Sequence, residues 1–297
     1  MTIPPPSTAP RYLVGLVCSV GIGEARGGRA RNEDNYLVCR DGRIRWRDGD
    51  TEVITEAPGA TGILLAVADG MGGHDDGDLA SSAAVQALSR LYLRPPPPDP
   101  EATLRDFLLD AHRRLRARVA VGGKVKMGTT LTVAWLLGDR LTWAHVGDSR
   151  LYHWREGRIT RLTRDQTRGE FARRDRRPVP LHPDHLAQNF VYGSRGLGDD
   201  EGLRIDRGID TGTVALRPDD RVLLCSDGLS GRVEDAWIGD LLRNVPEPTA
   251  CAVSLMERAI ASESDDNITT LVLRVEGGKP VDLDPDEWRE ETTIVPM

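Results

Sequence analysis

Apolar and polar positions along the chain fall into two rhythms. Runs of β-branched and apolar residues bounded by Gly, Asp and Pro occur in "RYLVGLVCSVG", "NYLVCR", "GILLAVADG", the long piece from Gly128 to Thr163, "GTVALRPDDRVLLCSDG" and "NITTLVLRV". Each such run predicts strand. The turn pairs Gly138-Asp139 and Glu156-Gly157 fold the long piece into an antiparallel meander. Helical spacing takes over at 78–93, 101–120, 234–245 and 248–262. The tract "RPPPPDP" cannot continue a helix, because each proline removes an N–H donor, so it separates the first two. Helix pairs set between blocks of antiparallel strands predict an α+β layered architecture rather than a βαβ repeat. There is no internal repeat. The Arg-rich stretch 168–185 reads as a long mobile loop, and disorder is expected only in the first ten residues and in the acidic end "DLDPDEWREETTIVPM".

Composition narrows the function classes. A chain of 297 residues, 39% hydrophobic, has enough apolar surface for a large core. A net charge of −7 with no basic block gives no electrostatic reason to expect nucleic acid or an anionic membrane as partner. Apolar runs such as "TLTVAWLL" fall well short of the roughly 20 residues a membrane span needs, and "MTIPPPSTAPRYLV" lacks a signal pattern, so a cytoplasmic protein is expected. Cys18, Cys39, Cys225 and Cys251 stand apart inside apolar runs without a CxxC pair, which predicts reduced core thiols.

The acids change the picture most. "RNED" (Glu33, Asp34), "VADG" (Asp69), "LLCSDG" (Asp227) and "SDDN" (Asp265, Asp266, Asn267) each put carboxylates at the end of an apolar strand, and "HVGDSR" puts Asp148 inside the meander. Any one of these alone reads as an ordinary turn, an Asp-Gly turn at Asp69 and at Asp227. Together they place several acids on the ends of buried scaffolds. Carboxylates brought to one place repel unless a cation neutralises them. Oxygen ligands with few His or Cys suit Mg²⁺ or Mn²⁺ rather than zinc.

The ordered set "RARNEDN", "VADGMGGH", "GTTLTVAWL", "HVGDSRLY", "LTRDQT", "SRGLGDD", "LLCSDGLSG" and "SDDNITTLVL" resembles the metal-dependent protein serine/threonine phosphatases of the PPM (type 2C) family in their bacterial form. The resemblance covers roughly residues 12–275 and implies one phosphatase domain, with residues 1–11 as a flexible lead and 276–297 as an acidic tail. It implies a four-layer α-β-β-α sandwich, two antiparallel sheets flanked by helix pairs, with metals in a cleft at one edge. By the same resemblance, Asp69 bridges two Mn²⁺ or Mg²⁺ ions, the Gly70 carbonyl adds a ligand, and Asp227 and Asp266 complete the pair. Glu33, Asp34 and Asn267 act through waters bound to the ions or lying just behind them, and Arg29 holds the phosphate. The implied reaction is hydrolysis of phosphoserine and phosphothreonine on proteins by in-line attack of a hydroxide bridging the ions. The implied partners are phosphorylated proteins and a cognate Ser/Thr protein kinase, with the enzyme a monomer that binds neither nucleic acid nor membrane.

Three features stand outside that pattern or at its margin. Asp148 matches a third, weaker metal position, but Gly231 replaces the carboxylate that often follows the "SDG" aspartate by four residues. Met71 stands where animal members carry a histidine, leaving His74 as candidate acid or as a loop histidine without a task. Without an acid, the leaving oxygen takes its proton from metal-bound water. Five arginines (Arg168, Arg173, Arg174, Arg176, Arg177) cluster on the stretch from Asp165 to Tyr192, which matches the family's flap beside the cleft. Two alternatives remain: a catalytically weak relative acting as a binding or sensing module, and an unrelated metal-dependent hydrolase of small phosphoesters or nucleotides. Against the second, there is no Walker loop, HExxH or GxSxG elbow.

Overall fold

Strands built from two-residue alternation and helices with one apolar stripe need each other's faces for burial, and the chain stacks them accordingly. The computed structural model describes residues 11–71, 76–122, 128–183 and 208–276. One sheet of five strands runs in the order β1 (Arg11–Ser19), β13 (Ile268–Glu276), β12 (Arg221–Cys225), β9 (Arg150–Arg155), β10 (Arg158–Arg161). The other follows the order β11 (Asp210–Ala215), β8 (Arg140–Val146), β7 (Leu131–Leu137), β5 (Ile63–Met71), β2 (Asp34–Arg40), β3 (Arg43–Asp48), β4 (Thr51–Glu56), and the short β6 (Gly128–Thr129) pairs with the end of β5. Every pairing is antiparallel.

Three buried clusters separate four layers. Between the sheets lie Val14, Leu16, Tyr36, Val38, Leu65, Val67, Leu224 and Leu271. Outside the larger sheet, Leu88, Tyr92, Leu104 and Leu108 of α1 (Asp76–Tyr92) and α2 (Pro100–Gly122) pack on Leu37, Leu64 and Ala66. Outside the smaller one, Ile238, Leu242, Leu255 and Ala259 of two further helices (Asp235–Asn244 and Pro248–Ala261) pack on Val17, Leu223 and Val272. The result is the expected α+β arrangement of two antiparallel sheets flanked by helix pairs. β1 begins at Arg11 and β13 ends at Glu276, one residue beyond each end of the 12–275 span. All four cysteines are buried and unbridged. No described helix is long and apolar enough to cross a membrane.

Two expectations need correction. The piece from Gly128 to Thr163 is not one meander: β7 and β8 pair in the larger sheet, β9 and β10 in the smaller, and the chain crosses between them at Gly147–Ser149. Gly147 permits the crossing with φ +118°, and a side chain there would run into Thr130. The Arg-rich stretch opens not as a loop but as a helix, α3 (Arg168–Arg174), whose first turn is capped by Thr167 Oγ accepting from the Glu170 N–H. The sequence "TRGE" is a capping box, the local signal for that start.

Candidate metal centre

The strands deliver the acids to one end of the sandwich. β5 carries Asp69, and its register partner on β2 is Asp34. β12 hands over through Ser226 to a short helix, α4 (Asp227–Ser230), that begins on Asp227. Asp266 and Asn267 precede β13, and Asp148 lies in the crossing between β8 and β9.

Backbone at this end is held by hydroxyls and by glycine. The Asp69 N–H donates to Thr130 Oγ (2.9 Å), and the Asp69 carbonyl accepts from Thr129 Oγ (3.0 Å) and the Thr130 N–H (2.9 Å). The "GTT" motif therefore holds the strand end that bears the acid. Gly70 lies so close to Gly77 and Glu33 that a Cβ would come within 2.2 Å of the Gly77 carbonyl oxygen. At Gly228 a Cβ would come within 1.9 Å of the Asn267 carbonyl oxygen, which brings the Asp227 and Asp266 segments into direct contact.

The charges are strongly frustrated. Burial, followed by Asp227, Asp34, Asp148 and Asp266, pushes the Asp69 carboxyl far above the ordinary carboxylate range. Asp227 is lifted to about 6 by burial and Asp266, although it shares a hydrogen bond with Asp69. Asp148 is raised by burial, then by Asp227 and Asp165. One oxygen each of Asp227 and Asp148 is buried with no hydrogen-bond partner. Orphaned, desolvated carboxylate oxygens facing other carboxylates are the donor set a hard divalent cation satisfies. The residues present fit such an ion, although among the described residues no three His, Cys, Asp or Glu side chains already surround one metal-sized point.

The remaining site residues divide by what they touch. Arg29 forks onto Asp266, Nε to Oδ1 at 2.8 Å and Nη2 to Oδ2 at 2.9 Å. Asp34 turns inward, where Oδ2 accepts from Ser226 Oγ and Thr269 Oγ, both 2.7 Å, and burial above all holds its carboxyl at about 7. The Asn267 side chain is engaged with main chain: Oδ1 accepts from the Glu33 N–H (2.8 Å) and Nδ2 donates to the Arg31 carbonyl (2.9 Å). Glu33 lies against Gly77 at the start of α1, its carbonyl accepting from Ser81 Oγ (2.7 Å). His74 lies outside the described residues.

Sequence reasoning did not find the hydroxyls of Thr129, Thr130, Ser226 and Thr269, although the "GTT" and "CSDG" motifs contain three of them. It also did not single out Arg150. That guanidinium forks onto Asp165 at the flap root (2.9 and 2.7 Å) and donates to the Tyr152 hydroxyl (3.0 Å) and the Ser230 carbonyl at the end of α4 (3.3 Å).

Comparison with known proteins identifies relatives of the whole domain. The chain is 35% identical over 213 residues to the serine/threonine protein phosphatase PstP of Mycobacterium tuberculosis, covering 71% of this chain but only 40% of that protein's length. It is 29% identical over 247 residues to the serine/threonine phosphatase stp of Listeria welshimeri, covering 78% of this chain and 92% of that one. A crystal structure of the PstP catalytic domain in complex with two manganese ions superposes with a TM-score of 0.67 at 30% identity, covering 90% of this chain and 98% of that one. The sequence pattern of the family described as Protein phosphatase 2C matches residues 50–256, well over half of the protein, and the chain belongs to that family.

Proposed function

We propose that this chain is a metal-dependent phosphoserine/phosphothreonine protein phosphatase that opposes a Ser/Thr protein kinase. The observation that carries the reading is the set of mutually repelling carboxylates of Asp69, Asp227 and Asp148, with orphaned buried oxygens on the last two, at one end of a type 2C sandwich. The related PstP domain with its two manganese ions supports a pair of ions here. Asp69, Asp227 and Asp266 would hold them, with the Gly70 carbonyl, and Asp148 would serve a third. Such ions would supply a nucleophilic hydroxide near neutral pH and would stabilise the charge that develops on the phosphoryl group. The chain's own residues do the rest. Glu33 flanks the site from just before β2, packed against Gly77 of α1, and Asn267 fixes the turn that carries Glu33. Arg29 lies at the rim with its side chain 54% exposed, where its planar fork can exchange Asp266 for two phosphate oxygens.

The deciding experiment measures release of phosphate from a phosphothreonine peptide and from nucleotides, with Mn²⁺, with Mg²⁺ and with chelator. Metal-dependent turnover confined to the peptide is expected. Preference for nucleotides would overturn the protein-phosphatase reading. Metal binding without turnover on either substrate would make the chain a sensing module.

The flap supports a preference for acidic phosphoproteins. Arg173, Arg174 and Arg177 each keep more than half of the side chain exposed, and their contacts are with flap residues: Glu170, the Phe171 ring and Asp175. The flap root is tied to the crossing that bears Asp148, since the Gln166 N–H donates to the Gly147 carbonyl (2.7 Å) and Gln166 Oε1 accepts from the Gly147 N–H (3.0 Å). Reversing Arg173 and Arg174 to Glu is expected to raise KM several-fold for an acidic phosphoprotein and to leave an aryl phosphate unchanged. Equal losses on both would show that the substitutions damage the site itself.

A further inference from the structure

Arg47, on β3, is a buried cation that none of the acidic motifs contains. Its side chain is 4% exposed, and its guanidinium gathers groups from three segments of the metal-site end. Nε donates to the Asp34 carbonyl (3.0 Å), and Nη2 lies 2.5 Å from the Asn32 carbonyl, 2.7 Å from the Asp34 carbonyl and 2.8 Å from Asp78 Oδ1 in the first turns of α1. Nη1 donates to the Gly49 carbonyl in the β3–β4 turn. The Arg47 backbone is itself fixed, its N–H donating to Asn35 Oδ1 (3.1 Å) and its carbonyl accepting from Asn35 Nδ2 (2.8 Å).

Those acceptors bracket Glu33. Asn32 and Asp34 are its neighbours in the chain, and Asp78 is next to Gly77, the residue against which the Glu33 carboxylate packs. The Asp34 carbonyl also belongs to the residue paired with Asp69 across the sheet. One planar fork thus fixes the turn bearing Glu33 and Asp34 relative to α1 and to the end of β5. A lysine ammonium, a point charge on a flexible stem, cannot reproduce that set of directions.

Resting on the reading of the acid cluster as a metal site, we infer that Arg47 is a positioning residue for the ions. It acts through the 32–34 turn and the start of α1, and touches neither metal nor phosphate. Groups behind the direct ligands commonly set metal affinity by about 10- to 100-fold.

The test titrates Mn²⁺ into the purified full chain by calorimetry and records the Mn²⁺ dependence of peptide hydrolysis and the melting temperature. Arg47→Lys is expected to weaken Mn²⁺ binding by about tenfold, raising the Mn²⁺ concentration for half-maximal turnover while turnover at saturating Mn²⁺ recovers. Arg155→Lys is the matched control. Arg155 forks onto buried Asp220 and donates to the Ala215 carbonyl, away from the acids, so its loss should lower the melting temperature and leave Mn²⁺ affinity unchanged. Should Arg47→Lys not fold, Asp78→Ala cuts the link to α1 from a side chain that is 30% exposed and takes over the same comparison. A folded variant that binds Mn²⁺ as tightly as the parent overturns the inference alone. A parent that binds no Mn²⁺ overturns the metal reading and this inference with it.

Discussion

Asp69→Asn is expected to lower turnover of a phosphothreonine peptide by several kcal/mol of barrier, on the order of 10³-fold, and at the same time to stabilise the metal-free protein. Both effects follow from the same repulsion. Asp69 is desolvated and faces Asp227, Asp34, Asp148 and Asp266, so its charge is tolerable only beside a cation. The neighbouring Asp227 gives the scale: a carboxyl lifted from 3.8 to about 6 corresponds to roughly 3 kcal/mol, at about 1.36 kcal/mol per pH unit. Because the folded pKa lies above the unfolded one, this contribution is fully present below the unfolded value near 3.8. It is lost as pH rises through about 6. In chelator at pH 7.5, therefore, Asp69→Asn and Asp227→Asn should each melt several degrees above the parent, while at pH 4, close to the unfolded value, most of the difference should be gone. With Mn²⁺ the order should reverse, since only the parent gains the full binding energy of the ions. Turnover within tenfold of the parent would remove Asp69 from the metal site. Identical melting in chelator at both pH values would mean that the carboxylates do not repel as their placement implies.

The sequence made the acid positions legible and left their division of labour hidden. Apolar runs ending in Asp-Gly mark where strands stop, so β5 and the end of β12 were readable, and the four helices fell within two residues of their predicted bounds. Sheet membership was not readable. Both halves of the stretch from Gly128 to Thr163 alternate in the same way, and only the φ of Gly147 reveals that the chain changes sheets there. β3 went unseen for a related reason: "RIRWRD" places arginines at every second position, which reads as a solvated face, whereas Arg47 is buried on carbonyls and Asp78. Likewise the string of letters puts Asp34 and Asn267 beside the ligands without saying what their side chains touch. The folded chain turns one onto the Ser226 and Thr269 hydroxyls and the other onto main chain, contacts 192 and more than 230 residues apart in sequence. Such partners follow from the register of β1, β2, β12 and β13 at their ends, and no local pattern encodes them.

Gly228→Ala should be nearly as damaging as loss of an acid, although it removes no functional group. Gly228 is the second residue of α4, directly after Asp227, and the Asn267 carbonyl approaches where its Cβ would stand, at 1.9 Å. Main chain is on the other side, so no rotamer change relieves the clash. The two segments must move apart, and they are the ones that carry Asp227 and Asp266. Overpacking of this kind costs about 1–3 kcal/mol in stability, and a misplacement of about 1 Å at a reacting centre costs up to about 10²-fold in rate. The expected outcome is a fall of several degrees in melting temperature and more than tenfold weaker Mn²⁺ binding, with turnover reduced further still. Gly239→Ala supplies the contrast. Its Cβ would meet only the Ile159 side chain, 3.2 Å away, inside the Asp235–Asn244 helix, where alanine gains helix propensity of up to about 1 kcal/mol. That variant should keep full activity and Mn²⁺ affinity, with the tight Ile159 contact and the helix propensity offsetting each other to within about 1 kcal/mol. Equal Mn²⁺ affinity in Gly228→Ala and the parent would show that the Asp227 and Asp266 segments tolerate separation, and that their close approach is packing without consequence for the ions.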